Sequence, residues 1–222
     1  MSSGYVVRMA ERTGAEPWVP DRLSLARLRT AVQSCEGCDL YRDATQAVMG
    51  DGPLKAELML VGEQPGDKED LAGEPFVGPA GKLLDRALAE AGIEPSSVFR
   101  TNVVKHFRFS GTRGKQRIHK SPSRWHVAAC EPWLIAELEL VRPTGVVLLG
   151  ATAGAGVYGA TFRLGPNRGR FQDWPSGKPV RHPPDWVLAT THPSAVLRSR
   201  QRDEDFGLLV ADLRLAAETL RA

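Results

Sequence analysis

Four short apolar runs, at 57–62, 98–104, 144–150 and 186–191, are rich in Val and Leu and show no strict polar alternation. Runs of that length, apolar at successive positions, suit strands covered on both faces, as in a parallel sheet. Between them the spacing turns helical. Residues 79–91 carry Leu83, Leu84, Ala87 and Leu88 on one face. Ser123 can cap a helix bearing Val127, Cys130, Leu134, Leu138 and Val141, with Pro132 expected to interrupt or kink it. The last segment spaces Phe206, Leu209, Val210, Leu213, Ala217 and Leu220 in the same way, and 23–33 reads as a further helix. Helices alternating with strands predict an α/β fold, a three-layer α/β/α sandwich around a central four-stranded parallel sheet with right-handed crossovers. The 222 residues fit a single domain over 21–222 behind an extended arm over 1–20 that contains Pro17 and Pro20. Residues 163–185, rich in Gly, Pro and Arg, predict an irregular excursion or a hairpin.

A net charge of +3 is too mild to argue for a nucleic-acid partner by itself, so the placement of the basic residues decides. No apolar run approaches the ~18 residues of a membrane span. The first residues lack the basic-then-apolar order of a signal peptide. The expected location is therefore intracellular, with no membrane partner. Cys35 and Cys38 are too close in sequence for an ordinary structural disulfide, and Cys130 makes the count odd. In a reducing compartment this pattern reads as metal ligation or redox chemistry.

Each predicted strand runs into unusual chemistry: Gly62-Glu-Gln-Pro-Gly-Asp-Lys-Glu-Asp70 after the first, Asn102 through Lys105-His106-Phe107 after the second, Gly150-Ala-Thr152 after the third, His192-Pro-Ser194 after the fourth. Ligands bind outside the carboxyl ends of the strands in open parallel sheets, so these residues are expected to share one cleft. Gly and Pro alone could be ordinary strand terminators. Glu63, Asn102 and His192 arriving at the same edge are not explained that way.

The first of these motifs, with Pro75-Phe76-Val-Gly-Pro-Ala-Gly81, Thr101-Asn-Val-Val-Lys105 and His192-Pro-Ser194 following in order, resembles the family-4 uracil-DNA glycosylases over about residues 35–215. Two departures from that family's pattern, Gln64 after the motif Glu and the basic insert Gly114-Lys-Gln-Arg-Ile-His119, resemble the UdgX branch, whose members cross-link to their product. Gln116 stands where that branch usually has Arg, whereas Arg117, Ile118 and His119 match. The resemblance implies excision of uracil from DNA, with free uracil as product, by a monomeric, cytoplasmic, nucleoid-associated protein of bacterial type.

The same resemblance implies a [4Fe–4S] cluster held by Cys35, Cys38, His106 and Cys130, with His106 where family-4 enzymes carry a Cys. Zinc in a Cys3His site is the chemical alternative, since the ligand types permit either. For the base, Phe76 is the expected stacking platform. Asn102, with one amide donor and one acceptor, suits the O4 and N3–H edge of a flipped uracil. Backbone groups near Gln64 and Gly66 line the same pocket by resemblance, and His192 donates toward O2.

Cleavage leaves an oxocarbenium-like sugar, and the expected nucleophile at C1′ is neutral His119, oriented by Glu63. Asp67 and Asp70 rank below Glu63, positioning water or bracing the turn. Arg117 is expected to contact substrate. Lys115 and Lys120 in an acid-free basic segment, with Arg198 and Arg200, are the expected contacts to the phosphates of single-stranded or duplex DNA. Val196 or Leu197 is a candidate wedge into the base stack. Two alternatives stand beside this: a family-4 enzyme that turns over with His119 only positioning water, and a protein that binds uracil-containing DNA without cleaving it.

Overall fold

The computed structural model describes residues 14–114 and 116–222. Lys115 and the first thirteen residues of the expected arm lie outside that set. From Gly14 onward the chain is docked. The Ala15 N–H donates to the carbonyl of Ala129 (2.7 Å), and Ala15 is buried. A short 3-10 turn, Glu16–Trp18, leads to α1 (Leu25–Val32), which is capped by Ser24.

The sheet then assembles in chain order. Strand β1 (Leu58–Gly62) is followed by α2 (Asp67–Ala72) and α3 (Pro79–Glu90), then by β2 (Phe99–Asn102). An antiparallel pair, β3 (Phe109–Arg113) and β4 (Gln116–His119), precedes α4 (Arg124–Val141). Strand β5 (Gly145–Leu149), α5 (Ala151–Tyr158), α6 (Leu164–Asn167), β6 (Phe171–Gln172), β7 (Trp186–Thr190), α7 (Pro193–Arg198) and α8 (Arg202–Arg221) complete the order.

The main sheet runs β2-β1-β5-β7-β6, with β2, β1, β5 and β7 mutually parallel. It has five strands where four were expected. The addition is β6, two residues paired antiparallel to β7. The segment expected to be an irregular excursion or a hairpin thus supplies an edge strand, while the hairpin lies at 109–119. That hairpin is exposed and polar, so neither of its strands has the apolar run that marks a buried one.

Alternate residues of each central strand enter opposite cores, which is what three layers require. Met59, Val61, Val146, Leu148, Val187 and Ala189 pack in the core that includes Leu28 of α1 and Trp133 and Leu138 of α4. Leu58, Leu60, Val147, Leu149 and Leu188 pack with Leu84 and Leu88 of α3 and Leu209 and Leu213 of α8. Helix α4 starts on a reciprocal cap. Ser123 Oγ accepts from the His126 N–H, and His126 Nδ1 accepts from the Ser123 N–H. The helix continues through Pro132 to Val141, so the proline does not interrupt it.

Taking the four parallel strands in chain order, the sheet reads 2-1-3-4. The connections after β1 and β5 therefore leave the sheet in opposite directions, and a crevice opens at their carboxyl ends. No helix among the described residues is long and apolar enough to cross a membrane.

Candidate active site

The crevice is walled first by Phe76 and Asn102. Gly62 ends β1 opposite Asn102 in register. A Cβ at Gly62 would run into Asn102 Oδ1 and would stand 2.8 Å from Phe76 Cζ, so the amide and the ring edge meet over that glycine. Phe76 is held at φ 59, a left-handed conformation that costs a non-glycine residue free energy and gathers at functional sites. Gly81 permits this turn, because a side chain there would collide with the Phe76 carbonyl.

Asn102 is anchored from behind. Lys105 Nζ donates to the Asn102 carbonyl and to Thr101 Oγ1, both at 2.7 Å, and pairs with Glu137 Oε2 at 2.7 Å. Both side chains of the ion pair are 0% exposed. Glu137 also accepts from the Gly50 N–H and from the Thr101 hydroxyl, so the buried charges are fully engaged.

His192 caps α7. Its Nδ1 accepts from the Ser194 N–H at 3.1 Å, with Ser194 Oγ 2.8 Å away. An Nδ1 that accepts leaves the proton of the neutral ring on Nε2, which is free to act as a donor. Burial pushes the His192 pKa down to about 4, with His119 and Arg198 adding to the push, so the ring is neutral at physiological pH.

His119 ends β4. Its Nε2 is 3.4 Å from Glu63 Oε1, and its side chain is half exposed. Burial holds its pKa below the ordinary value against the pull of Glu63, and Arg198 reinforces the lowering. Glu63 follows β1; its Oε2 accepts from Thr152 Oγ1 at 2.5 Å, while Oε1 is buried with no hydrogen-bond partner among the described residues.

The hairpin that presents His119 is pinned at two places. The Gln64 side chain, itself buried, donates to the carbonyls of Arg108 (3.0 Å) and Lys120 (3.2 Å) and accepts from the Arg108 N–H (3.2 Å). Arg117 reaches Asp67 at 2.5 Å, Asp70 at 2.7 Å and Thr45 Oγ1 at 3.1 Å. Its guanidinium also lies over the rings of Phe107 and Phe109. Arg117 is thus engaged by two carboxylates of α2 instead of standing free for substrate, and Asp67 and Asp70 serve as its counterions.

Gly66 caps α2; a side chain there would meet Glu69 Oε2, whose other oxygen accepts from the Gly78 N–H. Lys120, Arg198 and Arg200 are exposed. Lys115 lies outside the described residues. Val196 is fully buried, which removes it as a wedge, whereas Leu197 is partly exposed.

Cys35, Cys38 and Cys130 are all buried and near enough to feel one another's charge. Burial raises the Cys38 thiol to about 11 and the Cys130 thiol to about 12. Cys35 Sγ accepts from Trp133 Nε1 at 3.3 Å, and Cys130 Sγ accepts from the Lys105 N–H at 3.2 Å. That second bond sets the backbone just before His106 against Cys130. His106 is buried and pushed down to about 4, hence neutral and a competent ligand. Among the described residues no three His, Cys, Asp or Glu side chains are grouped to hold one metal ion.

Sequence reasoning missed the part played by Thr152, the Gln64 latch and the Lys105–Glu137 pair. Gly150-Ala-Thr152 at a strand end was the available signal for the first. Nothing in the sequence marks Glu137 as the partner of Lys105, which is 32 positions away.

A family model described as the uracil DNA glycosylase superfamily matches residues 49–214. The chain is similar to the type-4 uracil-DNA glycosylase of Thermotoga maritima, 37% identical over 173 residues that make up 78% of this chain and 82% of the relative. It is similar to that of Pyrobaculum aerophilum at 35% identity, covering 79% of this chain and 86% of the relative. A third relative, from Archaeoglobus fulgidus, is 35% identical, covering 82% of this chain and 88% of its own length. Together with the parallel sheet and the residues gathered at its carboxyl edge, these matches show that the chain belongs to the uracil-DNA glycosylase superfamily.

Proposed function

We propose that this protein excises uracil from DNA and keeps the abasic product through a bond between His119 and C1′ of the sugar. The observation that carries the covalent step is the His119 imidazole, its pKa lowered by burial, held 3.4 Å from Glu63 Oε1 at the crevice that also holds Phe76, Asn102 and His192. The flipped uracil stacks on Phe76, and Asn102 reads its O4 and N3–H. Cytosine presents the opposite pattern and would leave buried groups unpaired, at about 1–3 kcal/mol each. The C1′–N1 bond breaks with its electron pair leaving on uracil N1, while His192 Nε2–H donates to O2 as charge develops there. The electron-poor C1′ then accepts the lone pair of one His119 ring nitrogen, and Glu63 takes the proton that the ring sheds. Arg198 and Arg200 beside His192, with Lys120 beyond the hairpin, offer contacts to phosphates.

Cys35, Cys38, His106 and Cys130 would hold a [4Fe–4S] cluster, which would tie the segment around Cys35 to helix α4 and to the loop before the hairpin. We assign it a structural role.

The names of the relatives favour a second reading, in which water attacks C1′ and the enzyme turns over, His119 and Glu63 positioning that water. A uracil-containing oligonucleotide separates the two. A protein–DNA band that survives denaturation, absent in His119→Ala, supports the bond. Free abasic DNA without such a band supports turnover, and binding without release of uracil removes both.

A further inference from the structure

Thr152 stands in the first turn of α5, directly after β5, and the reaction above gives it no part. Its hydroxyl donates to Glu63 Oε2 at 2.5 Å. Glu63 follows β1 and Thr152 follows β5, so this bond spans the point where the chain connections diverge and the crevice opens. The terminal torsion of a glutamate is broad, and either oxygen of a free carboxylate can face a neighbour. Here one oxygen is taken by Thr152. The other is buried with no hydrogen-bond partner among the described residues and stands 3.4 Å from His119 Nε2.

We propose that Thr152 is a positioning residue: it fixes the rotation of the Glu63 carboxylate so that Oε1 faces the His119 ring. The turn bearing it is built for close approach. Gly150 adopts φ 91, which favours glycine, and a Cβ there would lie 3.0 Å from the His192 Cβ. One strand-to-helix turn therefore sets Glu63 through Thr152 and makes room for His192. The proposal rests on the reading of Glu63 and His119 given above.

Thr152→Val keeps the shape of the side chain and removes its donor, whereas Thr152→Ser keeps the donor. Adduct formation and uracil release are followed together in single turnover on a uracil-containing oligonucleotide, with His119→Ala alongside. Adduct formation slows about tenfold or more in Thr152→Val, as for a lost hydrogen bond to a charged group. Uracil release falls less, and Thr152→Ser stays close to the parent. A Thr152→Val protein that cross-links at the parent rate overturns the proposal. So does a Thr152→Ser protein as slow as Thr152→Val, since that marks a packing role.

If the parent protein releases uracil but forms no adduct, the covalent reading fails on its own. Thr152 is then judged by release: a loss in Thr152→Val that serine restores upholds its positioning of Glu63, and unchanged release removes it. Should the valine variant fail to fold, Thr152→Ala against Thr152→Ser carries the same comparison.

Discussion

Gln64 and Lys120 are joined by a hydrogen bond of 3.2 Å from side-chain amide to backbone carbonyl, one residue beyond His119. The same amide also holds both backbone groups of Arg108, where the hairpin begins. The glutamine therefore closes the base of the hairpin that ends in His119. Three bonds of about 1 kcal/mol apiece hold His119 in register with Glu63. Gln64→Ala is expected to cut the rate of adduct formation about tenfold or more while uracil release continues, because the base pocket lies on the sheet and not on the hairpin. Limited proteolysis within 109–119 should quicken in parallel. An alanine variant that cross-links at the parent rate would show that the latch does not position His119.

The four central strands and helices α1, α3, α4 and α8 were legible because burial writes itself into apolar runs and helical spacing. Strand β6 was not, since two residues carry no period. Nor was the hairpin, whose strands are exposed and polar and are held by side chains from elsewhere: Gln64 from the loop after β1, and Asp67 and Asp70 from α2. At the site, residue types at strand ends pointed to the crevice, but partners did not follow from types. Arg117 reads as a substrate contact until two carboxylates are seen to hold it. Thr152 reads as a helix start until its hydroxyl is seen on Glu63.

The donor set at Cys35, Cys38, His106 and Cys130 predicts a coloured protein that contains iron and acid-labile sulfide. Cys35→Ala is expected to lose the visible absorption and most of the iron, and to melt at a lower temperature, since metal binding is linked to folding. Metal analysis of the purified parent checks the assignment. Zinc in place of iron, in a colourless protein, would overturn it.

Adduct formation needs His119 neutral, and burial sets its pKa below the ordinary 6.5 despite the opposing pull of Glu63. His192, depressed to about 4 by burial, is likewise neutral at physiological pH. The rate is therefore expected to be level above pH 6.5 and to fall only below it. Stability follows the His192 ring with a definite sign. The unfolded chain takes up a proton near 6.5 and the folded protein only near 4, so the contribution is complete above 6.5 and is lost as pH falls toward 4. Rates of adduct formation and thermal melting across this range check both statements. An acid limb with its midpoint above 6.5 would mean that His119 is held charged, contrary to the nucleophile role proposed for it.

Lys105 and Glu137 form an ion pair with no exposed surface, and the lysine also holds the Asn102 carbonyl. Removing one member of a buried pair leaves the other charge uncompensated, at about 3–5 kcal/mol. Glu137→Gln keeps the shape and loses the charge, so it should lower the melting temperature by roughly 10 °C in a domain of this size. Replacing both members with apolar residues, as in Lys105→Met with Glu137→Leu, is often close to neutral for an isolated pair. Here it should not restore the parent stability, because the Gly50 N–H and the Asn102 carbonyl both lose their partners. The double variant should also discriminate less sharply between uracil and cytosine, since the backbone that carries the Asn102 amide is no longer anchored from behind. Calorimetry of the single and double variants, with competition between the two bases in matched oligonucleotides, reads both effects. A double variant as stable and as selective as the parent would show that the pair neither supports the fold nor fixes Asn102.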